Sequence, residues 1–405
     1  MKKVISILCI LVIVVGLVAA FAGCKTDRSE VLKLYVPGEY IDEDIFEEFE
    51  TWYEEQTGNT VKVEVETFET VENVQRAIEG SKADYDLICP SDYMVEYLIA
   101  HDLLLEVDKD VIDITADGIF KSQYLDTTRV FDPEVKYSVP YMYGTLGITY
   151  DYSKTGRKLD SWEDLFGSEF AGENTRSIKK SMRDAYVAAC LYNNRETLVT
   201  KSGAELKAAV QSIHEDVTQD TINAAKTTLS AAKTGSVWDI DQVKFEMATN
   251  DSDVKVALMW SCDAGYVMNT YEDEEGNEKE GNKNLWYVVP KEGGNIYMDV
   301  FCIGKYAVNI TAANYFLKFL CTKEVAIKNS EYAGSISPVA AAYDELYELY
   351  STDEEMFEGT EEGWKEMFLD MMFPSEATLN RCGIMRDLPS EGKSNLVSMW
   401  SNIVA

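Results

Sequence analysis

Between residues 31 and 100 the apolar pattern changes period with each successive element, and few architectures accommodate that. Val31–Val36 is a strand-like run, after which Ile45, Phe46, Phe49, Trp52 and Tyr53 recur at helical spacing up to Gly58. Val61-Lys62-Val63-Glu64-Val65-Glu66 alternates as a strand with one exposed face, and Val71–Glu79 is a short helix stopped by Gly80. Tyr85–Cys89 is a third strand and Ser91–Ala100 a third helix. Strand and helix in strict alternation predict a parallel α/β sheet with crossover helices. In such sheets the ligand crevice lies outside the carboxyl ends of the strands. The loops leaving strands one and three, Pro37-Gly38-Glu39-Tyr40 and Pro90-Ser91-Asp92-Tyr93, therefore open onto one edge, and each carries an acid and a tyrosine. Asp92 reads as a first-turn carboxylate that complements its helix dipole. Glu39 is open to that role or to a ligand.

The 405 residues suffice for two domains, and 46% apolar residues can supply both cores. Beyond Tyr137–Gly144 comes a further strand at Thr145–Tyr150, then helices at 181–193, 203–214 and 220–232. Val254–Trp260 and Trp286–Val289 read as strands, separated by a charged, exposed insertion at Glu272–Glu280. Asn314–Phe319 and Glu324–Asn329 are helical, and the aromatic and Met residues of Tyr343–Phe368 fall at core spacing. No internal repeat and no low-complexity linker separates two beads, so the chain is expected to pass between its two halves more than once.

Charge and composition remove most other functions. With 71 Asp and Glu against 37 Lys and Arg, the net charge of −34 opposes phosphate neutralisation, so no nucleic-acid partner is expected. Two histidines, His101 and His214, leave little for an imidazole metal site or a Ser–His–Asp hydrolase. No GxxxxGK[ST], HExxH, CxxC or GxSxG string occurs. Neither a catalytic set nor a metal site nor a cofactor is expected, and the chain reads as a non-enzyme. The cysteines at 89, 190, 262, 302, 321 and 382 are widely spaced, and no disulfide framework is expected; Cys89 and Cys302, in strand-like apolar runs, read as small buried hydrophobes.

The N-terminus is a targeting segment. Lys2 and Lys3 precede an apolar run from Val4 to Ala22, and Phe21-Ala22-Gly23-Cys24 resembles a bacterial lipobox. Residues 1–23 are expected to be a lipoprotein signal peptide, Cys24 the lipidated mature terminus, and 24–30 a tether. The rest of the chain then lies outside the cytoplasm, lipid-anchored at a cell surface or in a periplasm. The other reading of the apolar run is an uncleaved membrane anchor.

Several strings share an order and spacing: Gly38-Glu39-Tyr40, Tyr85-Asp86-Leu87-Ile88, Pro90-Ser91-Asp92-Tyr93 and Tyr137-Ser138-Val139-Pro140-Tyr141-Met142-Tyr143-Gly144. Ser161-Trp162-Glu163-Asp164-Leu165, Val289-Pro290-Lys291-Glu292-Gly293-Gly294 and Tyr297-Met298-Asp299 complete the set. From about residue 31 to 340 the chain resembles the spermidine/putrescine-binding proteins of bacterial polyamine ABC importers. The resemblance implies a two-lobe periplasmic-binding-protein-like α/β fold, each lobe a mixed sheet flanked by helices, with the ligand cleft between lobes. One lobe would comprise 31–143 plus 299–340, the other 144–298 plus 341–405, closing over the ligand by a hinge. The protein would be a monomer that captures a polyamine and delivers it to an ABC permease and its ATPase.

A polyamine site needs carboxylates for the ammonium groups and aromatic faces over the methylenes. Each cation–π contact is worth about 0.5–2 kcal/mol, and losing a buried carboxylate partner costs about 2–5 kcal/mol. No inward-facing Lys or Arg is expected. By the resemblance, the ligand-binding residues are Glu39, Tyr40, Ser91 and Tyr93 from the first lobe, with Asp184 and Trp260 from the second. Tyr297 and Asp299 would come from the crossing chain, with Trp260 and Tyr297 flanking the alkyl chain and Asp184 and Asp299 taking ammonium groups. Arg183 is expected to brace its lobe. The chain departs from the family at Pro37 and Tyr297, where tryptophan is usual, at Ser181, where several members carry an acid, and at Ser335, where an aromatic is expected. The competing readings are a receptor for another small cationic or zwitterionic solute, and a surface hydrolase built on the same scaffold.

Overall fold

The structure, a computed structural model, describes residues 28–239, 242–249, 251–269, 271–272 and 277–404. The signal segment, Cys24 and most of the tether lie outside the described residues. Among the described residues no helix is long and apolar enough to cross a membrane.

The strands are β1 (Val31–Pro37), β2 (Lys62–Phe68), β3 (Leu87–Ile88), β4 (Leu104–Leu105), β5 (Val139–Asp151), β6 (Arg176–Lys179) and β7 (Val237–Asp239). After them come β8 (Val256–Trp260), β9 (Tyr271–Glu272), β10 (Glu278–Lys279), β11 (Leu285–Val288), β12 (Gly294–Gly304) and β13 (Cys382–Ile384). The main sheet runs β2-β1-β3-β12-β5-β8-β6-β7, with β11 beside β5 and both β4 and β13 beside β12. β1 pairs parallel with β2 and β3, as the alternating pattern predicts. The predicted insertion at 272–280 contains the small antiparallel β9–β10 pair.

Most predicted helices form where expected, but Asn314–Phe319 and Glu324–Asn329 lengthen to Ile310–Leu320 and Lys323–Ala333, and Val71–Glu79 divides into an α-helical turn, Glu72–Gln75, and a π-helical turn, Arg76–Gly80. Asp44–Thr57 stops at Gly58, whose φ of +73° is a left-handed position that suits glycine. It buries Ile45, Phe49 and Tyr53. The run Tyr343–Phe368 becomes two helices, Ala340–Thr352 and Trp364–Met372, with Trp364 and Phe368 fully buried and stacked.

Two long strands carry the architecture. β5 is thirteen residues long and buried throughout, and β12 lies antiparallel to it from Phe301↔Val139 to Asn295↔Leu146. The far end of β12 joins β3 and β4, and the near end joins β13. One apolar core packs β1, the helix Asp44–Thr57 and the helix Ile310–Leu320, whose Phe316 meets Phe49 edge-on at 4.8 Å. A second spans β8, β11 and the helices from Met182 onward. The six cysteines from Cys89 to Cys382 are free.

Several of the strings that carry the resemblance also hold the scaffold together. Ser161 Oγ donates to Glu292 Oε1 at 2.5 Å, and the Trp162 indole N–H donates to the Gly293 carbonyl at 2.8 Å. Asp86 is fully buried and accepts from Arg28, from the Lys33 N–H, and from the N–H groups of Val308 and Asn309. It thereby fastens β1 to the approach of the helix Ile310–Leu320.

Candidate functional site

The β5–β12 ladder slips register between Asp299 and Val300. A bulge re-aims the side chain beside it, and here that residue is Asp299. An isolated antiparallel bridge joins Asp299 to Ser91, just past the end of β3. Ser91 Oγ donates to Asp299 Oδ1 at 2.5 Å, and the Tyr40 hydroxyl donates to Oδ2 at 2.6 Å. Tyr40 is itself held by Tyr141, whose hydroxyl donates to the Tyr40 carbonyl at 2.7 Å. The two loops expected to open onto one sheet edge thus converge on one carboxylate.

Asp184 stands in the first turn of the helix Met182–Asn193 and is 5% exposed. Burial raises its proton affinity, while Ser181, Lys179, Trp260 and Arg183 partly restore the charged form. Burial likewise raises Asp299 to about 6, against the help of Ser91 and Tyr40, and the Asp184 charge raises it further. Asp299 thus feels the charge of Asp184, and among the described residues neither acid is in an ion pair, although Lys179 and Arg183 help to keep Asp184 charged. That arrangement suits a cation bound between them.

Trp260, at the end of β8, and Tyr297, on β12, meet with ring centroids 6.2 Å apart. The Tyr297 hydroxyl lies over Gly144 so closely that a Cβ there would come within 2.2 Å of it. Glycine is required at this crossing by that approach, not by its backbone angles.

The other two expected residues lie differently. Tyr93 donates to Glu72 Oε1 at 3.1 Å and carries the Arg183 guanidinium 4.6 Å from its ring centroid. Glu39 is exposed, at a left-handed φ of +52°, and its side chain makes no hydrogen bond among the described residues. Asp92 does open its helix, but it is 2% exposed, beside Asp299 and Arg183 rather than in solvent.

The expectation of an inner surface free of cations does not hold. Arg183 donates to the Arg386 carbonyl at 3.1 Å as well as covering Tyr93, which is the bracing role expected of it. Lys179, at the end of β6, places its ammonium 3.6 Å from the Trp260 ring centroid and 2.9 Å from Asp263 Oδ2. Asp263 was not anticipated. Its signal was available in Trp260-Ser261-Cys262-Asp263, where a three-residue helical offset returns the acid to the tryptophan's side.

Among the described residues no group of His, Cys, Asp and Glu is arranged to hold a metal ion. An open surface groove of about 610 Å³, lined by Ser212, Glu215, Asp216, Thr218, Gln219 and Asn395, contains none of the site residues.

Residues 45–358 match the bacterial extracellular solute-binding protein family. The chain is 23% identical over 401 residues to the putrescine-binding periplasmic protein SpuD of Pseudomonas aeruginosa, covering 96% of this chain and 95% of that one. Its fold is similar to that of the spermidine/putrescine ABC transporter substrate-binding protein PotD from Streptococcus pneumoniae, with a TM-score of 0.65 at 24% identity, over 93% and 98% of the two chains. It is also similar to that of the TpPotD lipoprotein of Treponema pallidum, with a TM-score of 0.67 at 19% identity, over 92% and 99%.

Proposed function

Since this chain belongs to the bacterial extracellular solute-binding protein family, and is a receptor rather than an enzyme, we propose that its solute is a polyamine of the putrescine or spermidine class. The observation that carries this reading is a pair of buried acids, Asp299 held by Tyr40 and Ser91 and Asp184 in the first turn of its helix, both with raised proton affinity and neither in an ion pair among the described residues. An ammonium between them relieves their repulsion and replaces the water each has lost. Tyr40 and Ser91 hold one acid in place, and Trp260 and Tyr297 supply apolar walls for the methylenes.

The lobes in this reading are 31–143 plus 299–340 and 144–298 plus 341–405, and they close on the solute as a hinge. The receptor is a monomer held at the membrane through a lipid on Cys24, and it hands its solute to an ABC permease driven by an ATPase. The printed names of relatives support the polyamine and the importer in this reading.

A thermal-shift screen of diamines, triamines, amino acids, betaines and divalent metals tests the ligand class, because a true ligand stabilises the fold by mass action. Stabilisation by putrescine or spermidine at micromolar concentration is expected. A shift produced by an amino acid or betaine, with none from any polyamine, transfers the site to a zwitterionic solute.

A further inference from the structure

We propose that Lys179 limits the solute to a short dication by filling one ammonium position of the cleft with the chain's own ammonium. This rests on the polyamine reading above and narrows it.

The complement a bound ammonium needs is an aromatic face, a carboxylate and exclusion of water. Trp260 and Asp263 supply all three, and the position is occupied. Lys179 Nζ lies 3.6 Å from the Trp260 ring centroid and 2.9 Å from Asp263 Oδ2, with its side chain 2% exposed. Lys244 Nζ stands 3.6 Å from the other Asp263 oxygen, so that carboxylate is committed on both sides. Asp263 itself is 9% exposed, which leaves little access for a third cation.

Lys179 is the last residue of β6, a strand paired with both β7 and β8. Its ammonium is tethered by a strand next to the one that ends in Trp260, so it occupies the ring without the entropy loss a free amine must meet. A third ammonium from the ligand would have to displace a covalently held competitor or sit against its like charge. Of the acids expected to take ammonium groups, Asp184 and Asp299 are left for the solute, and two carboxylates match two ammonium groups.

Calorimetric competition between putrescine and spermidine tests the proposal. The unmodified protein is expected to hold putrescine about tenfold more tightly than spermidine, the scale of one like-charge contact. Lys179→Met clears the ring face and should move the preference about tenfold toward spermidine, whereas Lys179→Arg should keep it. An unmodified protein that prefers spermidine overturns the proposal even where Lys179→Met does not fold. So does a Lys179→Met protein, folded by circular dichroism, whose preference stays within about twofold of the parent's. Failure of both amines to bind the parent is a different result, and removes the polyamine reading itself.

Discussion

Glu96 and Arg386 are 290 residues apart in the chain and face one another as a two-pronged ion pair. Arg386 Nε donates to Glu96 Oε2 at 2.9 Å, its terminal nitrogen reaches Oε1, and the Asp387 N–H adds a bond of 2.8 Å to Oε2. The acid sits on the helix Asp92–Ala100, beside the Ser91 that holds Asp299. In the lobe division proposed above, the pair joins the two lobes. Both side chains are partly exposed, so the fork is worth about 0.2–1 kcal/mol. Glu96→Gln is expected to raise the rate of solute release by up to about fivefold with little change in the association rate. Stopped-flow titration reads both rates, and an unchanged release rate removes the latch.

Asp299→Asn keeps the shape of the side chain and deletes its charge. Polyamine binding is expected to weaken by about 2–4 kcal/mol, the range for one partner of a buried charge pair. Tyr40→Phe removes only one donor to the same acid and should cost about 1 kcal/mol. Calorimetry on the two variants ranks them, and equal losses would mean that Tyr40 touches the solute directly.

The raised proton affinity of Asp299 gives binding a pH dependence. A cation favours the charged carboxylate, so affinity should fall by up to about tenfold per unit as pH drops below about 6. Proton release on binding near that pH, seen as a buffer-dependent heat, is the accompanying signature. Without ligand the sign reverses. The folded protein holds this proton more tightly than the unfolded chain, so the acid's contribution to stability is complete below its unfolded value. It disappears as pH rises through about 6. Asp299→Asn should abolish both effects, and a flat affinity profile from pH 5 to pH 8 would contradict the assignment.

Asp86 belongs to the scaffold. Its two oxygens satisfy Arg28 and three backbone N–H groups in a fully buried setting. Asp86→Ala is expected to lower stability by about 3–5 kcal/mol. For a variant that still folds, the intrinsic selectivity among amines should be unchanged. Denaturant unfolding and a competition titration separate the two properties.

The alternation from Val31 to Ala100 was legible because each element carries an apolar stripe and ends on glycine or a polar turn, although β2 buries only Phe68 and leaves Val65 exposed. β5 read as a shorter strand beginning at Thr145. Pro140 and Gly144 look like breaks, yet Pro140 sits at the bulged end of the β12 pairing and Gly144 makes room for Tyr297. β6 was missed outright, since Arg176 and Lys179 mark a four-residue strand as exposed when it is buried throughout. Their charges are met by partners outside the strand: Ser236 and the carbonyls of Leu165, Gly167 and Ala232 for Arg176, Asp263 for Lys179. No local pattern contains that information. For the same reason Asp299, Tyr40 and Ser91 could be grouped from motif order, while the cation lying on Trp260 could not.

The place of β12 in the sheet has a consequence for the birth of the protein. A strand made of residues 294–304 is inserted between β3, complete by residue 88, and β5, complete by residue 151. At ribosomal rates of about 5–20 residues per second, the open edges of both strands wait roughly ten seconds or more for the strand that joins them. Throughout that interval the sheet is in separate pieces, β2-β1-β3 on one side of the gap and β5 on the other. A chain destined to be threaded across a membrane gains from that delay, because it remains pliable until most of its length has been made.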